Sequence, residues 1–164
     1  MLKLNAQIEI DAPADEVWQK LAKLDDVQHW VESVKSSHYS SGQTEGVGAQ
    51  RICEVDGFGT LHETITDWQD GKALTYGVEG MPRIVRKAES TWSVEAITPE
   101  KTRVTVQSEL ETRYGVFGAM FAKSMMKPQL TRFLQSALTS FKDFTEHSTD
   151  AHEPNSAPLH AQVA

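Results

Sequence analysis

Residues 59–96, GTLHETITDWQDGKALTYGVEGMPRIVRKAESTWSVEA, hold three runs of alternating apolar and polar residues, divided by Asp70-Gly71 and by Gly80-Met81-Pro82. Alternation at period two is strand spacing, and the turn residues between the runs predict antiparallel neighbours. In the first run Leu61 and Ile65 share a parity, with Glu63 between them. In the third, Ile84, Ala88, Trp92 and Val94 share a parity with Arg86. Successive strand residues point to opposite faces of a sheet, so both charges belong with the apolar set. An isolated ionised group in a dry core is strongly unfavourable. The cheaper arrangement is a cavity, partly wet, where Glu63 and Arg86 pair or meet a ligand.

The pattern extends in both directions. Strands are predicted near 34–40, 49–55, 59–69, 72–79, 83–97 and 101–112, with Gly, Asp and Pro in the separators. Upstream, Leu4, Ala6, Ile8 and Ile10 alternate with polar residues and predict a first strand. Asp11-Ala12-Pro13 stops it and predicts a helix start, with Asp11 as cap. Val17, Trp18, Leu21 and Leu24 follow at helical spacing, and a second short helix fits 25–32 with Asp25 or Asp26 as its cap. From Val116 to Glu146 a wide apolar stripe predicts a long helix covering the sheet. Pro128 is expected to bend it at a cost of about 3 kcal/mol. Beyond Glu146 no periodicity remains, so residues 1–146 are expected to form one domain and 147–164 a disordered tail.

The composition is that of a globular domain: 164 residues, 39% hydrophobic and 24% charged, with a formal net charge of −7. Of the 23 acidic residues only Asp150 and Glu153 lie beyond Glu146, so the folded part is itself acidic. No Lys/Arg stripe marks a nucleic-acid surface. Cys53 is the only cysteine, which rules out an internal disulfide and predicts a small packed residue. The six histidines are scattered without metal-ligand spacing, so no metal or cofactor is expected. No signal peptide and no integral membrane segment is read, and a cytoplasmic setting is the default.

Ile8-Glu9-Ile10-Asp11-Ala12-Pro13-Ala14-Asp15-Glu16-Val17-Trp18 resembles the opening signature of the SRPBCC superfamily, which includes START domains, birch-pollen-allergen-like proteins and polyketide cyclase/dehydrase-like proteins. The likeness continues through Trp30, Gly48 with Arg51, Glu63 in a Gly-x-Leu-x-Glu stretch, Leu74-Thr75-Tyr76 and Leu138-x-x-Phe141-Lys142. It covers about residues 4–146 and is strongest toward the polyketide cyclase/dehydrase-like, lipid-transport group. The resemblance implies an α+β helix-grip fold. In it a strongly curved seven-stranded antiparallel sheet wraps a long C-terminal helix, and two short helices follow strand 1. It also implies a hydrophobic tunnel, ligands such as lipids, sterols, polyketides, hormones or quinones, and no general metal or nucleotide. One fold hosts many functions, so the reaction stays open.

Two readings of Glu63 stand side by side: an ion pair that only closes the sheet, or a cavity acceptor that orients a ligand. In the related abscisic acid receptors a glutamate in a similar motif faces the ligand. Arg86 and Arg51 compete as its partner, and the parity of Arg51 is ambiguous because Ile52 opposes Cys53 and Val55. Tyr76 is core filler or a cavity hydroxyl; Trp92, Ser90 and Ser108 share the inward parity. Met120, Phe121 and Met125 are expected in the core, with methionine suited to lining an adaptable cavity. Phe58 and Met81, each beside glycine in a turn, are expected to gate the entrance or touch a membrane or carrier. The expected partner is a hydrophobic small molecule, a lipid, quinone or polyketide-like compound that the protein binds or shuttles. The alternatives are a cyclase, aromatase or dehydratase using Glu63 and an arginine for acid–base chemistry, and an interaction module with a vestigial cavity. No nucleophile–base pair or phosphate loop is visible, so the residues lean toward binding. The oligomeric state is not legible.

Overall fold

A computed structural model describes residues 1–150. Seven strands form one antiparallel sheet: β1 (Leu2–Ile10), β2 (Val34–Tyr39), β3 (Gln50–Val55), β4 (Gly59–Gln69), β5 (Ala73–Glu79), β6 (Val85–Thr98) and β7 (Lys101–Thr112). Their order is β1-β7-β6-β5-β4-β3-β2, so the sheet is not closed and β1 and β2 are its edges. Helix α1 (Ala14–Ala22), a 3-10 turn (Leu24–Asp26) and α2 (Val27–Trp30) connect β1 to β2. After β7 come α3 (Gly115–Phe121), a π turn (Ala122–Met126) and α4 (Lys127–Asp150). This is the helix-grip architecture, and it is α+β as expected.

Short connections make neighbours in sequence neighbours in the sheet, because a tight turn can join only antiparallel strands. The β5–β6 turn shows how closely packed such a turn can be. Gly80 has φ +91°, and a Cβ there would lie 2.4 Å from the Thr60 carbonyl oxygen. Only glycine meets both conditions.

Helix α4 covers the sheet with Leu134, Ala137, Leu138, Phe141 and Thr145, all buried, at spacings that keep them on one face. Phe141 is fully buried and its ring centroid lies 4.9 Å from Trp30 and 6.3 Å from Trp92. Polar bonds fix the C-terminal half of the helix. Lys142 Nζ donates to the Glu9 carbonyl at 2.8 Å, the Asp11 N–H donates to Glu146 Oε1 at 2.8 Å, and Lys20 Nζ donates to the Thr145 carbonyl at 3.0 Å. The preceding half carries Leu130 and Phe133, which are partly buried against the core and line a cavity.

The local expectations need two corrections and one refinement. Asp11, Asp25 and Asp26 make no capping bond: α1 follows Pro13 and α2 follows Asp26 without any side-chain cap. At Pro128 the helical run from Gly115 to Asp150 continues unbroken, and the irregularity is the π turn just before the proline, whose wider winding accommodates a residue with no N–H to donate. Helix α4 also runs on to Asp150, past the expected boundary at Glu146; the rest of the expected tail, 151–164, lies outside the described residues.

Candidate functional site

A cavity of about 130 Å³ lies between the concave sheet and α4. Apolar side chains make most of its wall, among them Leu24, Val27, Trp30, Leu61, Leu74, Trp92, Leu130 and Phe133. The polar side chains on the wall follow the strand register. Arg51 on β3 is directly opposite Glu63 on β4. Tyr76 on β5 pairs with Ser90 on β6, and Ser90 pairs with Ser108 on β7. The two sets form a polar band across five adjacent strands, all in contact with the cavity.

Within the band the groups satisfy one another. Arg51 donates from Nε to Glu63 Oε2 and from Nη1 to the Leu24 carbonyl, and its guanidinium lies 5.4 Å from the centre of the Tyr76 ring. The side chains of Arg51 and Glu63 are only 10% and 12% exposed, so the pair is removed from bulk water on both sides. Trp92 Nε1 donates to the Tyr76 hydroxyl at 3.3 Å, and the Ser90 and Ser108 hydroxyls are 2.6 Å apart.

Burial, the largest single influence, would depress the Arg51 guanidinium, but the charge of Glu63, its hydrogen bond and the nearby Cys53 and Tyr76 together outweigh burial and hold the group above its ordinary value. Burial pushes the Tyr76 phenol up to about 12, with the Glu63 charge adding to the effect. Tyr76 is therefore a neutral hydroxyl at any physiological pH, able to donate to a ligand carbonyl. Burial also raises the Cys53 thiol, which disfavours the thiolate a nucleophile needs. Among the described residues no group of three or more His, Cys, Asp or Glu side chains could hold a metal ion.

Glu63, Arg51, Tyr76, Trp92 and Ser108 thus meet at one cavity, and Phe58 and Met81 line it as well. Arg86 does not. Its side chain is 67% exposed and pairs with Glu111 at 3.1 Å. The reason is a β-bulge: Val85 faces Thr112 and Lys87 faces Glu111, leaving Arg86 as the extra residue. The bulge resets the alternation, so Val85 and Ala88 are both buried while Arg86 turns out.

Met120, Phe121 and Met125 are also not on the cavity wall; all three are exposed. Their stretch belongs to α3 and the π turn, before the part of the helix that packs on the sheet. Two wall elements escaped the sequence reading. The Leu24 carbonyl, bonded to Arg51, is a backbone group at the start of a 3-10 turn and leaves no residue signal. Trp30, expected to be structural, meets Trp92 edge to face at 5.8 Å and forms part of the wall; its place among the helical apolar residues gave no hint of this.

No curated protein sequence matches the chain. Solved structures with the same fold include the Zhui aromatase/cyclase from Streptomyces sp. R1128, at TM-score 0.76 and 18% identity, covering 90% of this chain and 95% of that one. The di-domain ARO/CYC BexL, from the BE-7585A biosynthetic pathway, superposes at TM-score 0.77 with 16% identity, over 92% of this chain and 48% of that chain. A START superfamily protein from Mycobacterium smegmatis gives TM-score 0.69 and 15% identity, covering 89% and 98%. At these identities the likeness is one of fold. The family model described as polyketide cyclase / dehydrase and lipid transport matches residues 1–146. The chain belongs to that family.

Proposed function

We propose that this protein binds a mainly apolar small molecule carrying one polar end, a hydroxyl or carbonyl, and holds that end against Tyr76, Arg51 and the Ser90–Ser108 pair. The supporting observation is the polar band in an otherwise apolar enclosure, the pattern that lets burial supply affinity while a few polar atoms set orientation. At about 130 Å³ the cavity is the size that accepts a single aromatic ring. A longer polyketide, quinone or acyl chain would need Phe58, Met81 and the Leu130–Phe133 part of α4 to move outward.

Native mass spectrometry of the purified protein tests this, followed by titration with phenols, naphthols, quinones and fatty acids. Retained or titrated binding of one class, weakened by Tyr76→Phe, supports the reading. A protein that is empty as purified and takes up none of the panel overturns it.

A second reading is catalytic, and the direct contact of Arg51 with Glu63 beside the Tyr76 hydroxyl favours it. There Glu63 would move a proton, and Arg51 with Tyr76 would stabilise an enolate oxygen. Cyclisation of a poly-β-ketone mimic that is lost in Glu63→Gln, with mimic binding retained, would establish it. Equal product with and without the protein would dismiss it.

A further inference from the structure

Tyr114, Val116, Phe117, Met120, Phe121 and Met125 are all exposed, Phe117 by 84%. At about 100° per residue, Val116, Phe117, Met120 and Phe121 fall on one side of α3. The other side carries Gly118, which is buried and so close to the chain that a Cβ would lie 1.9 Å from the Arg113 carbonyl oxygen. Gly118 packs against the end of β7 that leads into the helix, while the apolar side faces outward. Contiguous exposed apolar surface of this kind marks an interaction site.

The charge around it is the reverse of the rest of the chain. Between Glu111 and Asp143 there is no acidic residue, while Arg113, Lys123, Lys127 and Arg132 are all exposed, in a protein of net charge −7. The nearest carboxylate before the segment, Glu111, is paired with Arg86 at 3.1 Å. Arg132, farther along α4, shares a groove with Glu32 and Asp56 and belongs to that mixed-charge surface.

We propose that α3 and the π turn dock on an anionic lipid surface. The Phe, Met and Val side chains enter the boundary between headgroups and acyl chains, and Arg113, Lys123 and Lys127 meet the headgroups. A second copy of the chain is the less suitable occupant. A two-fold contact would place this patch against itself and set cation against cation. Lys127 on the docking side and Leu130 on the cavity wall share the first turns of α4, so docking would bring the cavity to the lipid. The docking itself does not depend on the cavity holding a ligand.

Co-sedimentation of the full chain with vesicles, in the absence of any added ligand, tests the proposal. Phosphatidylcholine vesicles serve as one arm and an equal mixture with phosphatidylglycerol as the other. Binding is expected to the mixed vesicles, to weaken with added salt, and to be much poorer to phosphatidylcholine alone. Lys123→Gln with Lys127→Gln should lower the partition coefficient about thirtyfold, at about fivefold per lysine near an anionic surface. Phe117→Ser with Met120→Ser should reduce it at least about tenfold. These positions are exposed, so circular dichroism and the thermal midpoint should stay at wild-type values. Uptake of cavity ligand from solution should also be unchanged, which separates failure here from failure of the ligand reading. No binding to the mixed vesicles, or binding by either variant equal to that of wild type, overturns the proposal. So does a wild-type dimer that the Phe117→Ser, Met120→Ser variant dissolves, since the occupant would then be a second copy.

Discussion

Glu63→Gln preserves the shape of the Arg51–Glu63 contact and removes its charge, which makes it the sharpest probe of how dry the cavity wall is. Arg51 is buried, and among the described residues Glu63 is the only anion bonded to it. Breaking a buried pair from one side leaves a desolvated charge uncompensated and typically costs about 3–5 kcal/mol. The amide oxygen can still accept from Nε, so about 3 kcal/mol is expected, or a drop of about 10 °C in thermal midpoint for a chain of this length. Arg51→Met should cost a similar amount, because it strands Glu63 and also leaves the Leu24 carbonyl without its donor. Combining Arg51→Met with Glu63→Leu removes both charges. Apolar replacement of a buried pair is neutral or stabilising by about 1–4 kcal/mol, less the unmet Leu24 carbonyl, so the double variant should return close to wild-type stability. Urea denaturation of the four proteins reads these differences directly. If Glu63→Gln loses less than about 1 kcal/mol, the pair is hydrated and the argument from desolvation fails. If the double variant is stable and binds ligand as well as wild type, the pair closes the sheet and does not orient anything.

Three further outcomes are expected. Because folding raises the Tyr76 phenol to about 12 from its ordinary 10.0, its contribution is complete below pH 10 and disappears as pH rises through 12, on the order of 2–3 kcal/mol; an alkaline denaturation series in which wild type and Tyr76→Phe lose stability in parallel would contradict this. Gly80→Ala combines φ +91° with a 2.4 Å clash against the Thr60 carbonyl and should cost about 2 kcal/mol or more, read as a lower urea midpoint; a wild-type midpoint would mean that the β5–β6 turn relaxes freely. Phe58→Ser with Met81→Ser should change the rate of ligand exchange in stopped-flow fluorescence, and unchanged kinetics would show that these turns do not gate the cavity.

Period-two alternation and turn residues were enough to place every strand of the meander, and the helical stripe placed the covering helix, because both signals are local. The same locality explains where the reading of the site failed. Arg86 obeys the alternation of its own run, but a bulge between Val85 and Lys87 shifts the phase, and a bulge is decided by pairing with β7. Arg51 was ambiguous on one strand and becomes unambiguous only opposite Glu63 across β3 and β4. Met120, Phe121 and Met125 continue the apolar stripe of α4, yet all three are exposed, while Met126 packs on the core and the cavity wall begins at Leu130. What the amino-acid order determined by itself was the set of elements, their antiparallel succession and the presence of a misplaced acid at Glu63. Which cation answers that acid, and which apolar residues are left facing outward, was decided by tertiary structure, because both depend on register and seating between segments far apart in the chain.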